Sequence, residues 1–336
     1  MRRTIAGICV LFAPCLMAQV ATAQESTPRD ARWSIEVFGG SAGLDPADLN
    51  AFSRNRELVY SSYYEALFQY YESAFGQNFS SSITKNGAFP LVGRGWTGGI
   101  RVARQITPRV AATVAFHYLS QSHSASLQRG HDSTTVNPDA VSFVSSNSVS
   151  YQFTGSRLAI RSYAPQAGVR WTVWRHRAYR LDAVLQGGLA WGSTEIDENL
   201  DASATFYGTR SSIVTRMRGH GWGASAEAGV RAGRDIGSRW GVFVEATYLH
   251  QRIGDVEGSF DRVTSIRDGD ATSVERETAI STTGRWRMQP YQVTAAFGSL
   301  NQPYPGVGND QYPAFQLDLS GARVQIGLAL RFNRIW

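Results

Sequence analysis

Gln325-Ile-Gly-Leu-Ala-Leu-Arg-Phe-Asn-Arg-Ile-Trp336, the last twelve residues of the chain, alternate in character. Ile326, Leu328, Leu330 and Phe332 fall on one face of an extended strand, and Gln325, Gly327, Ala329 and Arg331 on the other. One apolar face, an arginine on the opposite face and a closing tryptophan suit a barrel wall between lipid and water.

The same alternation recurs upstream, in pairs of segments. Trp33, Ile35 and Val37 alternate with Ser34 and Glu36, and Trp96, Ile100 and Val102 with Thr97 and Arg101. After a short link with Pro108, Val110 to Tyr118 alternate with Ala111, Thr113, Ala115 and His117. Val169 and Trp171 oppose Arg170, and a link at Arg175-His176-Arg177 leads to Tyr179, Leu181, Leu185, Leu189 and Trp191 against Asp182 and Gln186. Trp222 to Val230 alternate with Ser225, Glu227 and Arg231; Trp240 to Tyr248 alternate with Phe243, Glu245 and Thr247. With the terminal strand this gives eight.

The connections have a direction. Short links alternate with long polar segments at residues 39–94, 120–157, 196–217 and 254–318. Outer-membrane barrels combine short turns on one side with long loops on the other. Aromatic residues mark both strand ends, as an interfacial girdle does. Trp33, Trp171, Tyr179, Trp240 and Trp336 lie on the short-turn side, and Trp96, Tyr118, Trp191, Trp222 and Tyr248 on the long-loop side. Tyr179 to Trp191 spans roughly 30 Å at about 2.5 Å of axial rise per tilted residue, enough to bracket an apolar band of ~25 Å. The expected fold is therefore all-β: an antiparallel up-and-down transmembrane barrel. Ten strands is the alternative, with Ile280, Trp286 and Met288 descending, a turn at Gln289-Pro290, and Tyr291 to Phe297 ascending. Asp268-Gly269 would then be a hairpin tip. A soluble sandwich or propeller would show similar alternation with its faces reversed.

The N-terminus reads as a secretory signal over residues 1–23: basic Arg2 and Arg3, an apolar run to Ala18 interrupted by Pro14, and Ala21-Thr22-Ala23 before Gln24. Both cysteines, Cys9 and Cys15, fall within it, so residues 24–336 have no disulfide or thiolate chemistry. No later stretch approaches the length of an apolar spanning helix. The net charge of +6 is carried by arginines scattered along alternating strands, which argues against a nucleic-acid surface. In the first long segment Asp45-Pro46-Ala47-Asp48 reads as a helix start, and Val59, Tyr63, Leu67, Tyr70 and Ala74 keep helical spacing. A loop helix over about residues 46–75 is expected.

The terminal strand resembles the C-terminal recognition strand of bacterial outer-membrane barrels: polar Gln325, Gly327 two residues on, hydrophobic Leu330 and Phe332, with Trp336 closing the chain. That resemblance implies that the barrel assembly machinery reads this strand. Residues 24–336 as a whole resemble a small outer-membrane barrel of the OmpA-like, OmpX-like or OmpW-like type, without the periplasmic peptidoglycan-binding domain of some relatives. The resemblance implies an outer-membrane location, membrane lipid around the wall and a partner at the outer loops.

No catalytic constellation, cofactor site or metal site is expected. None of the six histidines has a His-x-x-x-His spacing, and Gly98, Gly99, Gly187 and Gly188 lie mid-strand, not in a phosphate loop. Outer-membrane lipid deacylases are similar in size class; His123-Ser124 falls in a polar segment, and His250, just beyond Tyr248, is the remaining candidate base. The inward face collects Glu36, Arg101, Arg170, Asp182, Glu227, Arg231, Glu245, Arg323 and Arg331. Charges of both signs in a narrow tube should pair, because an unpaired buried charge is expensive. Eight strands enclose a space that side chains can fill. The expected function is surface interaction, adhesion or envelope integrity around a plugged lumen. The alternatives are a narrow channel or OmpW-like transport of small molecules, and, third, a lipid-modifying enzyme.

Overall fold

The computed structural model describes residues 33–44, 46, 48–55, 57, 79–136, 144–204, 209–237, 239–267, 275–295, 298–307 and 311–332. Its strands are β1 (Trp33–Gly43), β2 (Phe79–Gly87), β3 (Arg94–Gln105), β4 (Val110–Val136), β5 (Val144–His176) and β6 (Tyr179–Ala204). There follow β7 (Thr209–Ile236), β8 (Trp240–Arg267), β9 (Glu275–Ala295), β10 (Gly298–Val307), β11 (Leu317–Asp318) and β12 (Gly321–Phe332). A short helix α1 covers residues 48–55.

Eight of the strands close a ring. β1 pairs β3, the chain then winds antiparallel through β4, β5, β6, β7 and β8, β8 pairs β12, and β12 returns to β1. The seam runs from Trp33↔Phe332 to Ala42↔Arg323. Closure leaves no unpaired backbone edge in the wall, which is the condition for strands to cross lipid. The short links are residues 106–109, 177–178 and 237–239. Arg177 and Gly237 take positive φ in the latter two, as tight hairpins demand.

The ten-strand alternative fails at a specific place. β9 pairs the far end of β8, from Arg267↔Glu275 to Glu257↔Arg285, while β12 takes the near end, from Gly321↔Leu249 to Leu330↔Trp240. The near end of β8 thus has no room for another strand. Gln289-Pro290 is not a turn either: β9 continues through it to Ala295, with Pro290 opposite Pro303 of β10. Proline is tolerated there because, beyond the bonds of residues 286–288 to 313–315, this part of β9 has only β10 beside it among the described residues, as an edge strand. The Asp268-Gly269 tip lies outside the described residues, as do the signal region, Trp336, and Val59 to Ala74 of the expected loop helix.

The long polar segments differ from loops in the ordinary sense. β4 and β5 stay paired out to Val136↔Val144, β6 and β7 to Ala204↔Thr209, and β7 and β8 to Arg210↔Arg267. The wall is therefore tall on the β4–β8 side and short at β1, β3 and β12. α1, the segment 88–93 and the segment 311–320 fill the difference. Asn50 fastens α1 to that cap: its Nδ2 donates to Val92 O (2.9 Å) and its Oδ1 accepts from Val92 N (2.8 Å). Asp48, the last residue of the helix-start motif, accepts the Gln316 N–H at 2.9 Å. Burial raises the Asp48 carboxyl above its usual range, with that hydrogen bond opposing the shift.

Candidate functional site

The outer face decides what the barrel is built to stand in. Leu185 is 58 % exposed, Ile326 66 % and Trp222 64 %, and Val37, Ile100, Val114, Val169 and Val244 point outward with them. Trp96, Tyr118, Tyr163, Trp191 and His220 form a continuous ring ladder across β3 to β7, with centroids 5.9, 5.1, 5.6 and 6.3 Å apart. Tyr248 lies outward on β8 at the same end. Tyr163 and His220 are the members that sequence reading missed, Tyr163 because alternation below it is interrupted by Pro165 and His220 because it stands one step above Trp222. At the short-turn end Trp33 lies under Arg104, Tyr179 under Arg234, and Trp240 is exposed. Trp171 is only half exposed; a bulge between Thr172 and Trp174 turns Trp174 outward at that rim. An apolar band between two aromatic belts is the exterior of a bilayer-spanning barrel.

Above the loop-side belt the two faces exchange character. On β8 the outward series Val244, Ala246, Tyr248 becomes His250, Arg252 and Glu257, while the inward series Phe243, Glu245, Thr247 becomes Leu249, Ile253 and Val256. β6 does the same at Trp191: Ser193, Glu195 and Asp197 turn outward, and Ile196 and Leu200 are buried. The upper interior holds a large apolar core, with a smaller cluster of Phe89, Leu127 and Leu200 beside it. Leu49 and Phe52 of α1, Val92, Trp286, Phe315 and Leu317 close the large core from the cap.

Below the belt the interior is charged. Glu36 sits at its centre: Arg170 Nη1 donates to Oε1 at 2.5 Å, Arg231 Nη1 to Oε2 at 2.5 Å, and Arg101 Nη1 to Oε2 at 3.4 Å. Arg101 also grips Glu245 bidentately, both contacts at 2.8 Å. Asp182 lies 3.6 Å from Arg170, 3.5 Å from Arg180 and 4.0 Å from Arg231. Arg323 pairs with Glu227, which also approaches His117 at 3.7 Å. The Arg231 guanidinium stacks 3.5 Å over the Phe243 ring. A second, neutral layer joins Gln166 to Ser225 (2.7 Å), Gln186 to Thr113 (3.0 Å) and Gln325 to Thr97 (3.2 Å).

Six of the nine charges expected on the inward face thus join the Glu36-centred cluster, and Arg323 and Glu227 form a neighbouring pair beside His117. Arg331 joins neither. Its guanidinium pairs with Asp235 at the short-turn rim, because its strand position is the last inward one before the barrel ends. Arg180 takes a place in the cluster instead. It was visible in the sequence as an inward neighbour of Asp182, but its position beside the link concealed it. Five arginines, Arg101, Arg170, Arg180, Arg231 and Arg323, face four carboxylates, Glu36, Asp182, Glu227 and Glu245, so the lumen has a formal charge of +1 with His117 neutral. That near balance gives no single-sign field to draw ions through.

Gly327 also acquires a structural reason. A Cβ built on it would stand 2.3 Å from the Phe243 ring and 2.7 Å from Val37 O. Gly327→Val is expected to cost about 1–3 kcal/mol in urea unfolding. Adding Phe243→Ala should recover part of that loss, whereas a glycine needed only as an assembly signal would show no recovery.

His250 meets Ser320 outside the barrel, Oγ to Nδ1 at 3.2 Å. Asp318 Oδ1 accepts the Ser320 backbone N–H at 3.0 Å. His123 lies far along the β4 extension, exposed and opposite Leu158.

No family model and no curated protein matches the chain. Among solved structures it is similar to the outer membrane protein OprG from Pseudomonas aeruginosa, at 12 % identity and a TM-score of 0.30, covering 90 % of this chain and 98 % of that one.

Proposed function

We propose that this protein is a bacterial outer-membrane β-barrel with a closed lumen, and that it acts through the body it raises above the membrane, in surface interaction, adhesion or envelope integrity. The exchange of faces at the aromatic belt carries this reading. Below it, oily side chains face out and paired charges face in; above it, polar side chains face out and a packed apolar core fills the interior. A solute moving along the axis would have to pass both the Glu36-centred cluster and the core beneath α1. The outer strands then serve as a rigid scaffold, and a partner would meet serine- and threonine-rich hairpin walls.

Planar-bilayer recording of the purified protein tests the closed lumen. The expected result is a quiet membrane under applied voltage; discrete, reproducible openings would overturn the reading in favour of a narrow channel. One contact favours a second reading. Ser320 beside His250 is a hydroxyl next to a base at the lipid boundary, the elements of a lipid-hydrolysing pair. Equal release of fatty acid by the wild type and His250→Ala removes it.

A further inference from the structure

A cleft of about 410 Å³ opens on the outer wall across β5, β6 and β7, lined by Arg161, Trp191, Ser193, Glu195, Arg218 and His220. Its height is fixed by register. Tyr163, Trp191 and Trp222 lie side by side in the belt, and the row immediately above is Arg161, Ser193 and His220. Glu195 and Arg218 form the next row up. The cleft therefore begins where the apolar wall ends, at the depth of lipid headgroups.

We infer that this cleft holds the phosphate of an anionic membrane lipid, with Arg161 and Arg218 as its cationic walls and Ser193 as a hydroxyl donor. The inference rests on the membrane reading above. Arg218 is 65 % exposed and is oriented by Glu195, whose Oε1 accepts from Nε and Nη2, both at 3.1 Å. Arg161 is exposed and makes no ion pair among the described residues. Two arginines against one carboxylate leave the cleft cationic. His220 packs on the Trp191 ring and closes the end of the cleft.

The wall beneath selects a lipid over a free phosphate. Outward on β6 below Ser193 come Trp191, Leu189 and Leu185, and on β7 below His220 comes Trp222. A headgroup held by the arginines lays its acyl chains on that surface, whereas inorganic phosphate gains nothing from it. Arg161 and Arg218 are both suited to this, since a guanidinium offers paired donors to phosphate oxygens.

Native mass spectrometry of the detergent-solubilised protein, titrated with dilauroyl phosphatidylglycerol or dilauroyl phosphatidylcholine, tests the site. A heat-modifiable gel shift run on each variant reports separately whether the barrel is folded, so a failure of the membrane reading is distinguishable from a failure of the site. The wild type is expected to retain one phosphatidylglycerol at least fivefold more strongly than phosphatidylcholine. Arg161→Gln, which orphans no acid, and Arg161→Gln/Arg218→Gln should abolish that preference while leaving phosphatidylcholine retention unchanged. Glu195→Gln, which removes the one carboxylate among the described residues lining the cleft, should raise phosphatidylglycerol retention severalfold. Equal retention by the folded wild type and the double variant would overturn the site. Displacement by equimolar inorganic phosphate would overturn its assignment to a lipid.

Discussion

Glu36→Ala is expected to lower the unfolding free energy of the barrel by about 3–5 kcal/mol, the cost of removing one partner from a buried ionic cluster. Glu36 is fully buried and receives Arg170, Arg231 and Arg101. Arg101 keeps Glu245 after the change, and Arg170 keeps Asp182 at 3.6 Å. Arg231 is left worst, with only 4.0 Å contacts to Asp182 and Glu245. An uncompensated guanidinium inside a tube walled by lipid has no water to turn to. Urea unfolding in detergent or lipid vesicles, followed by tryptophan fluorescence or the gel shift, measures the loss. Glu36→Ala/Arg231→Met should recover part of it, because the stranded charge is then gone and methionine can lie on the Phe243 ring. A single variant within about 0.5 kcal/mol of the wild type would mean that the cluster is not held through Glu36.

The ring of eight strands was legible because each wall strand repeats with period two and because both belts are written in large aromatic residues. The inward charges were legible for the same reason, since alternation assigns each residue to a face. Arg331 shows the limit of that reasoning: the face was right, but the height along the barrel put it at the rim with Asp235. Above the belt the rule fails for a physical reason. Segments such as Ser120 to Thr135 carry small and polar residues apart from the single Leu127, so sequence sees a loop where β4 remains hydrogen bonded to β5. Trp286 illustrates the same difficulty. It reads as a wall residue of the added descending strand in the ten-strand alternative, yet it is buried in the cap, edge-on to Phe315 at 5.4 Å. Long-range packing of a short apolar motif against a helix leaves no periodic trace.

Leu185→Arg carries the largest expected difference between this barrel and a soluble one of the same topology. Leu185 stands midway between Tyr179 and Trp191 on β6, facing out, with Val169 and Val230 on the adjacent strands exposed as well. On a water-facing wall an exposed leucine changed to arginine is nearly neutral and aids solubility. On a lipid-facing wall the charge sits near the middle of the hydrocarbon, where arginine costs about 2–4 kcal/mol. Ser193→Arg, one step above the belt on the same face of the same strand, should cost no more than about 1 kcal/mol, since the penalty fades toward the interface. The comparison uses one strand, one face and one introduced residue, so a difference between the two reports depth alone. Refolding into lipid vesicles with urea titration provides both values. If Leu185→Arg is as well tolerated as Ser193→Arg, the band between the two aromatic belts does not face lipid.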